Sequence, residues 1–513
     1  MLSIGPPAPG TRASTGTMSS PLIRLAACCL ASHLLTAGDA IVVRVDAKQP
    51  LHQVSDRFAG SNFCALWNDT GATPGAVAAT AKLGLGTIRF PGGVPCQWWD
   101  WQEPLASGWT TITTGTAWDL AKAGRSQLAL QTNTANTSKG TDKETGKQYS
   151  FDSSPEHQAA WVRWCREQGM QVAWWEIGNE PEMDAPKDIK GDDARVFTWY
   201  NEVYGKQVAA LRAVDPKLRV AGPASTNEWF WWRQNNIGKF LAAHGDRTGT
   251  GLADIISLHW YPEGGKGGWE EKRSTAQRWQ QAWDFIRAVI AKHDTRQLPV
   301  LVSEWNWGGG QDNDSAAAYA TALGNADIVG MFRRTGVWAH QHFCLQHIQR
   351  GWGMLATKKD SRPESRPSPT FFSLLLAGRL GRHVLPVMNP ADEGNVLAAY
   401  AGKDDAGGVQ VLLISKSGEA QSVRLEIGGD VAATGSLLLM EPGTGGLQAG
   451  SVKLGGVDDP DPTVADMPAG APLRADAVIA LPPYGLALAT FAGAAEAKPA
   501  KPVKPSKAKP APR

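Results

Sequence analysis

Two glutamates stand at the ends of short apolar runs, Glu180 and Glu304. Residues 172–177 are apolar and aromatic apart from one glutamate, and Glu180 follows them closely, just before a proline. Residues 298–303 form a second apolar run, and Glu304 comes directly after it. In a parallel barrel, residues that follow the strands meet at one rim, where active sites lie. Two carboxylates at one rim indicate glycoside hydrolysis.

The surroundings of the two glutamates predict different protonation states. Hydrolysis needs one carboxyl group that gives a proton and one that stays ionised, so their pKa values must be pushed apart. Glu180 follows an aromatic strand, where partial desolvation and a neighbouring anion favour its protonated form. Arg89, at the end of an earlier apolar run, and Tyr261, just beyond His259, are candidates to hold Glu304 ionised.

The elements that position these residues alternate between short apolar runs and amphipathic segments, which predicts a (β/α)8 TIM barrel. The predicted strands are residues 59–63, 86–90, 127–132, 172–177, 219–224, 254–259, 298–303 and 337–343. The predicted helices are residues 74–83, 117–123, 155–168, 193–214, 229–244, 276–293, 315–335 and 369–380. In this order Glu180 follows the fourth strand and Glu304 the seventh.

The pattern changes to all-β after residue 381. Short apolar stretches at hairpin spacing predict a C-terminal β-sandwich domain over residues 382–492. Residues 41–58 begin with an alternating strand that is expected to join this sandwich, which leaves residues 59–381 for the catalytic barrel. Residues 493–513 are rich in Lys, Pro and Ala and are predicted to be a disordered tail.

Residues 1–40 are predicted to be a signal peptide with an upstream segment. Met18 is followed by Arg24 and by an apolar run at residues 25–35, which has the length of a signal-peptide core. The run is too short to span a bilayer. Small residues that end at Ala40 offer a cleavage site. The protein is therefore expected to be secreted or periplasmic, with no membrane span.

Composition excludes several other functions. The formal net charge is only +2, which does not favour a nucleic-acid partner. The 22 tryptophans suit core filling and sugar stacking, and core filling accounts for most of them.

Cysteines outside the first 40 residues are spaced irregularly, so buried free thiols are favoured over a disulfide or a zinc site. His340, His342 and His347 have no accompanying acidic cluster, so neither a metal nor another cofactor is expected.

The motifs resemble the retaining glycoside hydrolases of a large (β/α)8 clan, and most closely the α-L-arabinofuranosidases. The similarity rests on the sequences RFPGG at residues 89–93, WEIGNE at 175–180 and EWN at 304–306. It implies that Glu180 is the acid/base and that Glu304 is the nucleophile.

The same resemblance implies roles for further residues. Asn179 would donate to the sugar 2-hydroxyl, while Arg89, His259 and Tyr261 would support the site. A purely structural hydrogen-bonding role for His259 is an equally good interpretation. Separately, two or three of Trp98, Trp99, Trp101, Trp305 and Trp307 are expected to line the sugar site, with Trp99, Trp101 and Trp307 as the candidates, and the rest are expected to pack.

Two nearby acids compete with this assignment. Glu176 lies inside the predicted strand and is expected to pair within the barrel, with Arg89 as a candidate partner. Glu182 follows the proline and is expected to be a solvated loop charge.

The sequence therefore predicts an exported retaining glycoside hydrolase that acts on a polysaccharide or oligosaccharide substrate and resembles α-L-arabinofuranosidases. A β-xylosidase or a β-glucuronidase-like glycosidase is the alternative within this class. A non-catalytic carbohydrate-binding barrel is the alternative from another class, and the presence of both carboxylates disfavours it.

Overall fold

The structure is a computed structural model. It describes residues 40–493 except for 69–70, 104–111, 142–145, 147, 227–234, 263–267, 309–317, 348–351, 359–362 and 463–465. The expected signal peptide, the tail after residue 493 and part of the helix expected at residues 229–244 lie outside the described residues.

The described helices precede or follow the barrel strands in alternation. They are α1 (Pro74–Leu83), α2 (Thr114–Ala123), α3 (Pro155–Glu167), α4 (Pro181–Asp184), α5 (Asp193–Val214), α6 (Asn236–His244), α7 (Trp269–Lys272), α8 (Thr275–His293), α9 (Tyr319–Thr335) and α10 (Pro369–Gly378). None of these described helices has both the length and the apolar character needed to cross a bilayer.

The first twelve strands include those of the barrel. They are β1 (Ile41–Asp46), β2 (His52–Gln53), β3 (Ala59–Asn62), β4 (Thr87–Phe90), β5 (Gln127–Thr132), β6 (Lys139–Thr141), β7 (Gln148–Ser150), β8 (Val172–Ile177), β9 (Val220–Ser225), β10 (Ile255–Trp260), β11 (Val300–Trp305) and β12 (Ala339–His342).

The remaining strands follow the last barrel helix. They are β13 (His383–Leu385), β14 (Val387–Met388), β15 (Leu397–Lys403), β16 (Val409–Ser415), β17 (Gln421–Gly428), β18 (Val431–Pro442), β19 (Val452–Leu454), β20 (Val457–Asp458), β21 (Ala471–Arg474), β22 (Val478–Leu481) and β23 (Leu486–Gly493).

Eight parallel strands close into a barrel, which confirms the predicted fold class. Around the barrel the order is β3, β4, β5, β8, β9, β10, β11 and β12, so neighbours in space are neighbours in the chain. Strands of this kind are buried on both faces and therefore read as continuous apolar runs. The predicted fourth strand has the same bounds as β8.

The seventh barrel strand differs from its predicted bounds. Residues 298–303 were expected, whereas β11 covers Val300–Trp305. Pro299 has no N–H to give to a sheet ladder, which explains the later start. At the other end, Glu304 pairs with His259 of β10 and Trp305 pairs with His342 of β12, so the ladder continues beyond residue 303. Glu304 therefore lies inside the strand and not after it.

The C-terminal region forms a β-sandwich of two sheets around an apolar core. One sheet has the order β14, β1, β17 and β22, and the other contains β2, β13, β15, β16 and β18–β21 with β23. β1 pairs in parallel with β17 over its whole length. The first described strand of the chain therefore belongs to the sandwich sheet.

Helix α9 lies between barrel and sandwich and is buried along most of its length. Its Asp327 accepts a hydrogen bond from Tyr400 at 2.6 Å and pairs with Lys416 at 2.7 Å, and both partners lie on sandwich strands or next to them. Tyr319 donates to the carbonyl of Met440 at 3.0 Å. A charge on an enclosed helix is unfavourable unless it is paired, and Asp327 is paired in this way.

Aromatic and sulfur side chains fill much of the core. Fully buried tryptophans among the described residues are Trp161, Trp174, Trp260, Trp279 and Trp305. The described cysteines, Cys64, Cys96, Cys165 and Cys344, are all buried and free. The expectation of buried free thiols is confirmed.

Candidate active site

Glu180 is presented by a sharp turn after the fourth barrel strand. β8 ends at Ile177, and Gly178 then adopts a positive φ of 77°. Glu180 itself has φ 36° and ψ 66°, a left-handed backbone conformation that residues other than glycine rarely adopt. It directly precedes the first turn of α4. Its amide donates to the carbonyl of Ala224 at 3.0 Å, which anchors the turn to the next strand. The turn brings the Glu180 carboxylate to the barrel rim.

Glu304 is held by two donors at the end of the seventh strand. Its Oε1 accepts from Arg89 Nη1 at 2.7 Å, and its Oε2 accepts from the Tyr261 hydroxyl at 3.0 Å. Burial alone would raise the pKa of this carboxyl group, but the charges of His259 and Arg89 and the two hydrogen bonds outweigh it, so the pKa lies below its ordinary value. Glu304 is therefore an ionised carboxylate in a nearly dry site.

Arg89 is the fixed positive charge of the site. It is fully buried, and its Nε donates to Glu176 at 2.6 Å. Its other nitrogens donate to Asn62 at 2.7 Å and to Asn179 at 3.1 Å. Burial acts to lower the pKa of the guanidinium, yet Glu176 and Glu304 raise it above its ordinary value. The expected pairing of Glu176 with Arg89 is confirmed.

His259 connects the two glutamates. Its Nδ1 lies 2.7 Å from Oε1 of Glu180 and 3.6 Å from Oε2 of Glu304. Burial acts to lower the pKa of His259, but the two carboxylates raise it overall. One ligand atom from each of these three residues lies within 4.8 Å of the others. This spacing could also hold a cation, although Arg89 already supplies a positive charge to Glu304.

Gly93 explains why the loop after the second barrel strand contains consecutive glycines. It has a φ of 86°, and a Cβ at this position would lie only 2.9 Å from Oε1 of Glu304. Any larger residue would therefore be strained and would crowd the carboxylate. The glycine lets the backbone approach Glu304 closely.

Asn179 is oriented by its carbonyl oxygen. Oδ1 accepts from Arg89 Nη2 at 3.1 Å and from Gln131 Nε2 at 3.3 Å. The amide nitrogen is therefore directed away from these two donors, and it is the group of Asn179 that can donate to a ligand.

Two acids of the short helix α4, which follows Glu180, have raised pKa values. Glu182 was expected to be solvated, and this prediction is wrong: it accepts from Asn236 at 2.9 Å and from the Thr226 amide at 3.2 Å, and burial raises its pKa to about 7. Burial, followed by the charge of Glu180, raises the pKa of Asp184 to about 8. The short helix α4 turns both side chains inward, which the sequence did not indicate.

Two of the three tryptophans expected to bind sugar, Trp99 and Trp307, are buried. Trp99 is 5% exposed, donates to the Ile112 carbonyl at 3.0 Å and packs edge-on against Phe90. Trp307 is 4% exposed and lies under Lys272, whose ammonium is 4.1 Å from the ring centroid. These contacts fill the space around both rings, so the expectation that they bind sugar is not supported.

Trp101 is partly buried and also has aromatic neighbours. Its ring centroid lies 5.5 Å from that of His157 and 5.8 Å from that of Trp164 on α3. By contrast, Trp98 is 43% exposed and Trp67 is 38% exposed, and both follow barrel strands that end at the catalytic rim. The sequence does not separate these exposed rings from the packed ones, because all of them lie in loops.

Asn62 is the site residue that sequence reasoning missed. It ends β3, accepts from Arg89 and donates to the Ser303 carbonyl at 3.0 Å. A polar residue near the end of the first predicted strand was the available signal. The structure otherwise brings together Glu180, Glu304, Asn179, Arg89, His259 and Tyr261 in one network.

One protein-family model matches part of the chain. Residues 163–329, a segment that includes both glutamates, match the model of glycosyl hydrolases family 39. No curated protein sequence matches the chain.

Several solved structures share the fold. An α-L-arabinofuranosidase from Thermotoga maritima superposes with a TM-score of 0.65 at 14% identity, covering 88% of this chain and 99% of that one. A GH51 arabinofuranosidase from Xanthomonas axonopodis pv. citri gives 0.64 at 15% identity, with the same two coverages. CelM2, a bifunctional glucanase-xylanase from a metagenome library, gives 0.61 at 14%, covering 89% and 99%. The resemblance inferred from the motifs is confirmed, and the chain is a glycoside hydrolase.

Proposed function

We propose that the protein is an exported retaining glycosidase that releases α-L-arabinofuranosyl units from polysaccharide-derived glycosides. The observation that carries this proposal is the proximity of Glu180 and Glu304, whose nearest carboxylate oxygens lie within 4.8 Å. Retaining enzymes keep their carboxyl groups about 5–5.5 Å apart, whereas inverting enzymes need about 6.5–9.5 Å to admit a water molecule. The short gap favours direct attack by a carboxylate.

Glu304 is the nucleophile in this proposal. Its lowered pKa keeps it ionised, and the donors Arg89 and Tyr261 fix both of its oxygens. It attacks the anomeric carbon and forms a glycosyl-enzyme bond as the aglycone leaves. Because Arg89 is already buried and paired, no countercharge has to move during this step.

Glu180 is the acid/base. Its side chain is 24% exposed, compared with 7% for Glu304, so a leaving group and later a water molecule can reach it. It gives a proton to the leaving oxygen and then takes one from the attacking water. His259, at 2.7 Å, orients the carboxyl group for both steps.

Asn179 orients the sugar. Its Oδ1 is held by Arg89 and Gln131, which supports the use of its amide group as a donor to the sugar 2-hydroxyl. Hydrogen bonds to this hydroxyl that strengthen in the transition state contribute to catalysis in such enzymes.

A panel of aryl glycosides tests the proposed substrate. We expect 4-nitrophenyl α-L-arabinofuranoside to be cleaved with a higher kcat/KM than the β-D-xylopyranoside or the β-D-glucuronide, and Glu304→Gln provides the blank for each. A preference for either of the other two glycosides would move the specificity to the alternative. Binding of oligosaccharides without turnover of any glycoside would favour a non-catalytic barrel.

Export is the second part of the proposal, and it rests on the sequence pattern between Arg24 and Ala40. N-terminal sequencing of protein recovered outside the cytoplasm should show processing near Ala40. An intact Met1 on that protein would contradict the signal-peptide interpretation.

A further inference from the structure

A cavity of about 220 Å³ lies apart from the two glutamates, neither of which lines it. It is lined by Ala59 and Gly60, the first two residues of β3, whereas the catalytic rim lies at the opposite ends of the strands. Other walls come from helices α9 and α10. The apolar lining includes Val54, Phe58, Leu83, Val329, Met354 and Leu374. The polar residues of the lining are Ser55, Asp56, Arg333, His340 and Arg382.

Arg333 is a buried cation without an acidic partner. The residue is only 4% exposed, and none of the carboxylates in the described residues lies within ion-pairing distance. Its Nη2 donates to the carbonyl of Gly381, but its Nε is buried with no partner among the described residues. Burial lowers its pKa to about 10. The guanidinium is still charged at neutral pH, and an unpaired buried charge is unfavourable.

The dipole of helix α9 does not replace the acidic partner that Arg333 lacks among the described residues. Arg333 lies in the last turn of α9, where a cation interacts favourably with the helix dipole. That interaction and the Gly381 carbonyl offset part of the cost of burial. Asp56 also lines the cavity, but it is exposed and pairs with Arg382 at 2.7 Å.

His340 adds a second donor. The Trp305 indole can only donate, so at 3.1 Å it must donate to Nδ1 of His340. Burial, followed by the charges of His342 and Arg333, lowers the pKa of His340 to about 3, so the ring is neutral and its proton lies on Nε2. That Nε2 is buried and has no partner in the described part of the chain.

Both donor residues contact the same aromatic ring, Phe58, at the cavity wall. The Phe58 ring centroid is 4.7 Å from that of His340 and 5.6 Å from the Arg333 guanidinium carbon. A ligand that satisfies both donors must offer acceptors and negative charge. Because the other walls are largely apolar, the ligand should also have a hydrocarbon part.

We propose that this cavity binds a small organic carboxylate, with its oxygens at Arg333 and His340 and its hydrocarbon part against Phe58 and the apolar walls. The site is separate from the glycosidase site and does not depend on the function proposed above.

Butyrate and its neutral isostere butyramide test the proposal on the full-length protein. We expect butyrate to bind saturably in isothermal titration calorimetry and, at tenfold excess over its Kd, to raise the unfolding midpoint by about 1–3 °C. Butyramide should do neither, because it lacks the charge. Binding of both compounds alike, or of neither, would overturn the proposal.

Variants locate the binding. Arg333→Met should weaken butyrate binding by about 10-fold or more, since a hydrogen bond to a charged group is lost. The matched control is Arg334→Met, because Arg334 is the next residue of the same helix but is exposed and pairs with Asp392 at 3.4 Å. Unchanged affinity in Arg333→Met, or an equal loss in Arg334→Met, would contradict the assigned site. Should Arg333→Met not fold, His340→Phe, which removes the neutral donor, is expected to weaken binding and gives the same decision.

Inorganic phosphate distinguishes the source of the negative charge. Phosphate offers acceptors without a hydrocarbon part, so it should compete weakly with butyrate. Tighter binding of phosphate than of butyrate would overturn the assignment to an organic carboxylate.

Discussion

Arg89 and Arg333 are both buried in the barrel, but their surroundings differ. Arg89 donates to Glu176, Glu304 and two asparagines. Arg333 donates to one carbonyl, and no ion pair joins it to a carboxylate of the described residues. Two carboxylates therefore raise the pKa of Arg89 in spite of burial, whereas burial alone lowers that of Arg333. A balanced buried charge holds a reactive group in place, and an unbalanced one favours binding of an external anion.

The largest expected effect comes from removing the carboxylate that Arg89 holds. Glu304→Gln keeps the shape of the side chain but cannot form a glycosyl-enzyme, so kcat should fall by about 10⁴-fold or more. Steady-state hydrolysis of an activated aryl glycoside measures this. Glu426→Gln is the matched control, because Glu426 is exposed on the sandwich and pairs with Arg44, and its activity should equal that of the parent.

Appreciable turnover by Glu304→Gln on that substrate would mean that another group is the nucleophile. Arg89 would then stabilise the barrel without a role in the reaction.

Replacing each arginine by methionine compares the two regions directly. Arg89→Met leaves Glu176 and Glu304 buried without their countercharge, so the free energy of unfolding should fall by about 3–5 kcal/mol. Arg333→Met leaves no carboxylate unpaired, so it should change stability by less than about 1 kcal/mol or raise it. Urea unfolding of both variants measures the difference. Equal destabilisation by the two would show that the pairing does not distinguish them.

Glu180→Ala should have a smaller effect on reactive substrates. The Glu304–Arg89 pair stays intact, so the first step proceeds when the leaving group needs no proton, while the second step loses its base. We expect kcat to fall by about 10²–10⁴-fold and azide to restore part of it. Comparison of dinitrophenyl and methyl glycosides, with and without azide, measures this. Failure of azide to rescue any substrate would argue against the acid/base role.

The smallest effect is expected from Tyr261→Phe. The variant removes one hydrogen bond to Glu304 at 3.0 Å but keeps Arg89 in place. The pKa of Glu304 is lowered in the folded enzyme, and its ionised form is lost as the pH falls through that value. Without the hydroxyl the pKa rises, so the acidic limb of kcat/KM should move to higher pH by about one unit or less. An unchanged or downward shift would show that Tyr261 does not stabilise the carboxylate.

The sequence predicted the barrel well because its strands are buried on both faces and appear as separate apolar runs. The same runs located Glu180 and Glu304, since each of these glutamates follows an apolar stretch. The predicted bounds of the seventh strand were wrong because ladder pairing with His259 and His342 extends β11 through Glu304.

Side-chain environments could not be read in the same way. Glu182 looks solvated in sequence, but helix α4 turns it toward Asn236. Trp99 and Trp307 look like sugar platforms, yet contacts from distant segments bury them. The unpaired charge of Arg333 depends on which residues α9 and α10 bring around it, and no local pattern reports that.

The anomeric configuration of the first product tests the central claim most directly. Glu180 and Glu304 oxygens lie within 4.8 Å. In the proposed mechanism Glu304 therefore attacks the sugar itself, and water later enters from the same face. Proton NMR in the first minutes of hydrolysis, before mutarotation, should show a product with the configuration of the substrate. Initial release of the inverted anomer would imply a gap of about 6.5 Å or more between the carboxyl groups and would contradict the nucleophilic role of Glu304.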